Sequence, residues 1–434
     1  MIRFSHITTG IVAFLIVCSA ASGVERFPPP EFVETDHIIP TPTVPGPRQD
    51  IYEYIDVAVL FAALVLSSYL VLKVRSRRAV FLLMVFSLVY FGFWRKGCVC
   101  SIGAIQNIVL SVFDPGYAVP AAIILFFALP LVFTLFFGRT FCAAVCPLGV
   151  IQDLIVLRPV SIPKWLESSL RLVAYVYLAA AVLFAATGSA FVICRYDPFI
   201  SFYRLSGSLN ILIAGVCLLL VGVFVGRPYC RFVCPYGVIL RQLSRLSRRR
   251  VTITPDDCIK CRLCENSCPF GAIREPTADW PPQEYKKGKK RLALLISVLP
   301  ALVLAGGWMG SALKATAARA HATVRLADRI YLEDAGEVEG ITDASSAFRA
   351  TGKDVNELYG EASGIVRKFE LWGWLVGGFI GLVIALKLIS LSVGRQRTDY
   401  EADRASCLAC GRCFEYCPRE HIRLKKLKEA IGQS

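Results

Sequence analysis

The chain has 434 residues, 55% of them apolar and 19% charged, with mean hydropathy +0.55 and formal net charge +15. That balance excludes an ordinary soluble globular protein and points to the membrane class.

Residues 1–23 begin the chain with Arg3, an apolar core over 11–17 and the small residues Ser19, Ala20, Ala21 and Ser22. This is the pattern of a secretory signal peptide, with an anchor helix as the alternative. Residues 24–50 contain "FPPPEFVETDHIIPTPTVPGPR", too proline-rich for a packed core, and read as an extended periplasmic leader. Seven apolar runs follow, at 55–72, 79–94, 119–137, 170–187, 209–225, 292–308 and 371–393. Each approaches the ~20 residues that a helix needs to cross ~30 Å of hydrocarbon. Five of them make a membrane domain over 51–250. The last two form an out-and-back hairpin, 286–394, around a polar insert at 310–370 with helical patterning.

Basic residues cluster at 73–78, Arg139, 241–250 and 286–291. The positive-inside rule assigns these and the C-terminus to the cytoplasm of a bacterial inner-membrane protein, and 95–116, 188–208 and 310–370 to the outside. The positive charge is then expected to serve topology and anionic-lipid contact. Nucleic-acid binding is not expected, because the clusters hug helix ends and no recognition fold interrupts the helices.

Two runs, "CIKCRLCENSCP" and "CLACGRCFEYCP", share the spacing C-x2-C-x2-C-x3-C-P. Three thiolates on one loop suit three corners of a [4Fe–4S] cubane, with the fourth directed to the partner cluster. The expected sets are Cys258, Cys261 and Cys264 with Cys417, and Cys407, Cys410 and Cys413 with Cys268. Zinc sites typically use two separated pairs instead. The whole is expected to be an α-helical polytopic membrane protein of about seven spanning helices plus a signal peptide. It would carry a small cytoplasmic α+β dicluster ferredoxin-like module whose halves, 251–285 and 395–434, are split by the hairpin.

A second device occurs twice. Gly138, Arg139, Cys142, Cys146, Pro147 and Gly149 recur as Gly226, Arg227, Cys230, Cys234, Pro235 and Gly237, each time after an apolar run. If helical, each Cys pair shares a face and the proline breaks the hydrogen-bond ladder. Soft thiolates there suit an iron–sulfur or copper site, with small-residue packing as the bland alternative. A fainter copy, "CVCSIGAIQ" at 98–106, shares Cys-x-x-Gly-x-Ile-Gln with residues 146–152. Cys98 and Cys100, with Cys194, are candidates for an outer redox or metal site, or for a disulfide.

The paired C-x3-C-P segments and two ferredoxin motifs resemble the NapH/NosR-type polyferredoxin membrane proteins, over residues 119–270 and 407–418. The resemblance implies electron transfer between the cytoplasmic or quinone side and a periplasmic redox partner, a flavoprotein or cytochrome, within a respiratory or reductase system. It implies a subunit rather than a stand-alone enzyme, and no catalytic residues are singled out. The sequence departs from the pattern in lacking a flavin-attachment signature, in the split ferredoxin halves and in Cys98, Cys100 and Cys194. A copper-assembly or metal-reductase factor is the alternative function; only three methionines argue against a Met-based copper path. A structural anchor is the third. With four histidines, none in an expected mature span, no bis-histidine haem b is expected within the chain.

Overall fold

A computed structural model describes residues 49–97, 99–160, 162–254, 258–277, 282–392 and 397–432. The expected signal peptide, nearly all of the leader, and Cys98 lie outside them. Helix α1 (Asp50–Tyr69) continues as a wider π-helical turn, Leu70–Val74, and α2 (Arg77–Ser87) continues likewise over Leu88–Trp94. Helices α3 (Ala104–Phe113), α4 (Ala121–Phe137), α5 (Pro147–Ile155) and α6 (Lys164–Ala186) follow. Then come α7 (Leu209–Phe224), α8 (Pro235–Arg245), and the hairpin helices α9 (Pro282–Ala312) and α12 (Val355–Ser392). Between the latter lie α10 (Ala322–Asp334) and α11 (Asp343–Ala350), and α13 (Pro418–Gly432) ends the described chain.

The seven expected spans divide into two kinds. Five segments are long and apolar enough to cross a membrane: Asp50–Val74, Arg77–Trp94, Trp165–Ala186, Lys287–Ala312 and Val355–Ser392. The other two are α4 and α7, of 17 and 16 residues. At 1.5 Å per residue they reach only ~25 Å. Both are cut short where the repeated Gly-Arg pair turns the backbone: Gly138 has φ +75° and Arg227 has φ +49°.

A loop dips between the helices before α3. The Ser101 hydroxyl donates to the carbonyl of Phe126, inside α4, at 2.7 Å. Apolar side chains facing outward from the five long helices, such as Leu82, Val89, Leu304 and Leu386, are exposed in the isolated chain, as a lipid-facing surface requires.

The insert forms a helical cap. Ala318, Val324, Ala327, Ile330 and Phe369 bury a small core against Leu183 at the end of α6. At the opposite end, β1 (Ile273–Arg274) pairs antiparallel with β2 (Glu401–Ala402), joining the two ferredoxin halves across the hairpin. Asp403 N–H donates to Ala272 O at 2.7 Å, and Arg274 pairs with Asp403 at 3.2 Å.

Glycines let α9 and α12 approach backbone to backbone. A Cβ built on Gly306, Gly310 or Gly377 would fall on the facing carbonyl of Gly377, Gly373 or Gly306. This is the small-x3-small packing by which membrane helices associate. We expect Gly306→Leu to force the hairpin apart and lower the thermal midpoint in detergent, while Gly360→Leu, where a Cβ meets nothing within 4 Å, leaves it unchanged. Equal midpoints for the two variants would remove the glycine contact as the hairpin's clasp.

Candidate iron–sulfur site

The two ferredoxin loops repeat one backbone shape. Lys260 and Ala409, each two residues after the first cysteine, have φ +54° and +55°; Arg262 and Gly411 have φ +64° and +82°. Left-handed non-glycine residues are strained, and strain of this kind gathers at functional sites. Here it turns amide groups toward sulfur. Lys260 N–H donates to Cys258 Sγ and Ala409 N–H to Cys407 Sγ, both at 3.4 Å, as does Ala272 N–H to Cys268 Sγ.

The structure brings Cys258, Cys261, Cys264 and Cys417 onto the wall of one cavity of about 190 Å³. In the other group Cys407 and Cys413 lie within electrostatic range of Cys410 and Cys268. Each group thus takes three thiols from one loop and the fourth from the other. Among the described residues no three His, Cys, Asp or Glu side chains are gathered into the shell of a single metal ion. A thiol-only donor set with amide N–H groups turned toward its sulfurs fits an iron–sulfur cluster.

The repeated membrane motif also converges. Cys142, Cys146, Cys230 and Cys234 line one small enclosed cavity with Arg139, Tyr229 and Tyr236. The backbone ladder breaks before each proline, as expected. Phe141–Val145 is a π-helical turn, and Pro147 and Pro235 begin new helices at the first position, with Cys146 and Cys234 as N-caps. Proline is favoured there because its missing N–H has no partner to lose. Cys234 Sγ accepts from Gly237 N–H at 3.2 Å.

Charge surrounds this quartet. Arg227 is fully buried and donates through Nε to Asp153 at 3.2 Å and through Nη1 to the Cys142 carbonyl. Asp153 also binds Arg77 at 2.8 Å and Arg412 at 3.4 Å. Burial alone raises the Asp153 carboxyl, but Arg227, Arg412 and Arg77 hold it well below the usual carboxylate range. Arg77 reaches on to the Cys410 carbonyl at 2.9 Å. Arg75 clamps Glu420 at 2.6 Å and the carbonyls of Thr252 and Ile253 at 2.8 Å, with its guanidinium 4.7 Å from the Phe414 ring centre. Several basic residues expected to face lipid headgroups are therefore spent on fixing the ferredoxin loops. The sequence reading missed Asp153; its only signal was an acid on an apolar helix directly after a C-x3-C-P motif.

Arg139 is the exception. It is 2% exposed, its Nη2 lies 3.6 Å from Cys142 Sγ and its Nη1 3.5 Å from the Ala405 carbonyl, and its Nε has no partner. Among the described residues no carboxylate pairs with it. Of the outer candidates, Cys100 and Cys194 come together beside Gly103.

Comparison with known proteins relates parts of the chain to 4Fe-4S binding domains. A 4Fe-4S binding domain matches residues 119–164, 208–254 and 264–288, and a second 4Fe-4S binding domain matches 251–274. The first thus covers both copies of the membrane motif. The chain is 29% identical over 169 residues to the putative electron transport protein YccM of Escherichia coli, across 35% of this chain and 47% of that protein. It is 31% identical over 156 residues to protein NirI of Paracoccus denitrificans, across 32% and 22%. It is 31% identical over 157 residues to the regulatory protein NosR of Stutzerimonas stutzeri, across 32% and 21%. The match spans about half of YccM and about a fifth of the other two. No solved structure matches the chain.

Replacing the central carboxylate tests the charge network. Asp153→Asn leaves Arg227 buried without its counter-ion, a loss on the order of 3–5 kcal/mol. Because the folded carboxyl is held below its unfolded value, its contribution is complete above ~pH 4 and fades only as pH falls through the folded value. The gap in thermal midpoint between wild type and variant is therefore expected to be constant from pH 5 to 8. A gap that is absent, or that varies over that window, contradicts the assignment.

Proposed function

We propose that the chain is a membrane iron–sulfur electron-transfer protein that links a reductant at the ferredoxin loops to a redox partner at the opposite end of the helices. One observation carries this reading: two groups of four thiols exchange one cysteine each, and buried Arg139 joins the loop of the Cys407 group to a third group of four. Each group would hold a [4Fe–4S] cluster, which supplies one reversible electron when bound.

The residues divide the work. Cys258, Cys261, Cys264 and Cys417 form one ligand set, Cys407, Cys410, Cys413 and Cys268 the second, and Cys142, Cys146, Cys230 and Cys234 the third. Amide N–H groups of Lys260, Ala409, Ala272 and Gly237 stabilise thiolate charge. Arg139 balances negative charge between the quartet and the Cys407 loop. Aromatic side chains of Phe141, Tyr229 and Tyr236 keep water from the quartet. A copper-handling role has less support, since three methionines are too few for a Met-based copper path. The name of the relative YccM, a putative electron transport protein, favours electron transport. The basic loops orient the ferredoxin end to the cytoplasm of a bacterial inner membrane and the cap to the outside.

Anaerobically purified protein is expected to carry about twelve iron atoms, four for each cubane. Cys→Ala at all four quartet positions should leave about eight, with both ferredoxin EPR signals retained and transfer to a vesicle-trapped acceptor abolished. Undiminished transfer would reduce the repeat to architecture. Cys417→Ser should disturb the signal that depends on Cys258, Cys261 and Cys264; disturbance of only the Cys407 group would mean that each loop binds alone.

Orientation has its own test. A cysteine placed at Gly340, in the cap, should react with a membrane-impermeant thiol reagent on intact cells. Protection there, with full labelling after lysis, would invert the topology.

A further inference from the structure

A cavity of about 190 Å³ adjoins the quartet, and Cys146 lines both. Cys100 and Cys194 also line it. Neither Cys100 nor Cys194 falls within a matched domain segment.

The pair reproduces half of the quartet. Gln152 Oε1 accepts from Tyr229 N–H, just before Cys230, at 3.0 Å. Gln106 Oε1 accepts from Ile193 N–H, just before Cys194, at 2.9 Å. A Cβ on Gly149 would meet Cys230 Sγ at 3.7 Å, and one on Gly103 would meet Cys194 Sγ at 3.2 Å and Cys100 Sγ at 3.7 Å. Cys100 thus corresponds to Cys146, and Cys194 to Cys230. The positions matching Cys142 and Cys234 are Lys96 and Pro198, so half of the thiols have no counterpart. Exposure rises along the line: Cys146 is buried, Cys100 half-buried and Cys194 exposed.

We propose that Cys100 and Cys194 are a redox-active dithiol–disulfide pair, fed with electrons from the quartet and discharging them to a disulfide-bearing protein. This rests on the reading of the quartet as an electron carrier. Reduction breaks the Cys100–Cys194 bond with two electrons, delivered singly from the quartet, and two protons from water at the cavity mouth. Cys194, the exposed thiol, then attacks the partner's disulfide. Cys100 resolves the mixed disulfide, the pair re-forms its bond, and the partner leaves as a dithiol carrying both electrons and both protons.

The test is isotope-coded alkylation and mass spectrometry of the Cys100 and Cys194 peptides, on cluster-loaded protein before and after dithionite, with EPR on the same samples. The pair should be a disulfide in oxidised protein and two thiols once the clusters are reduced. In Cys146→Ala, with both ferredoxin signals retained, its reduction should slow by at least an order of magnitude. Gly103→Val provides a second variant that touches no proposed cluster ligand: its side chain would part the sulfurs, and no disulfide should form. A disulfide that persists beside reduced clusters, thiols in the oxidised protein, or equal reduction in Cys146→Ala would each overturn the proposal. Failure of the quartet reading shows separately, as wild-type protein with only two cluster signals and about eight iron atoms.

Discussion

The arrangement depends on one buried carboxylate. Asp153 sits on the short helix that the first C-x3-C-P motif launches, and it gathers Arg227 from the second motif, Arg77 from the start of α2, and Arg412 from the second ferredoxin loop. Three cations on one anion are favourable only where geometry and hydrogen bonds offset desolvation. Arg227 meets this condition by also donating to the carbonyls of Cys142 and Ala143, and Arg77 by donating to that of Cys410. The same contacts therefore fix the quartet's backbone and hold the Cys407 loop against it. A separate clamp does this for the far side of the module, where Arg75 joins Glu420 of α13 to the segment leading into the Cys258 loop. Distance and orientation between redox groups are thus set by ion pairs, with little left to side-chain freedom.

The two copies of the membrane motif are alike in sequence and unlike in charge. Arg227 is neutralised by Asp153, whereas its counterpart Arg139 faces sulfur and a carbonyl. An unpaired buried guanidinium is costly, and its presence is economical only where another negative charge comes with the cofactor. Thiolate-ligated clusters on either side of Arg139 would supply it. The same charge would favour the more negative, reduced state of each neighbour and so raise the potential of both. The asymmetry gives the proposed assignment a physical reason that the cysteine spacing alone does not.

Much of this was legible in the sequence because the signals were local. The C-x2-C-x2-C-x3-C-P loops, the repeated C-x3-C-P segments and the long apolar runs each follow from short-range patterns, and the exchanged thiol groups follow from the ferredoxin spacing. What was not legible is non-local. Asp153 looks like any acid near a helix end, and Arg75, Arg77 and Arg139 look like topology signals until the fold brings loops from far along the chain against them. The two shorter spans were legible to within two residues, because each apolar run and its helix end together at the Gly-Arg turn. The equivalence of Cys100 to Cys146 was visible in the shared Cys-x-x-Gly-x-Ile-Gln, while that of Cys194 to Cys230 appears only through the two glutamine contacts.

The split ferredoxin module raises a folding question that the hairpin answers. Its two strands, Ile273–Arg274 and Glu401–Ala402, offer only two residues each, far too little to gather two halves that lie on either side of a long insertion. Closing so long a loop costs entropy that a two-residue ladder cannot offset. The glycine-lined contact between α9 and α12 removes that cost in advance, since a rigid pair of antiparallel helices returns the chain to the end it left. The module then needs only enough local pairing to set register. Its stability is referred to the membrane helices, so that its thiols are held in place by the same body that carries the quartet.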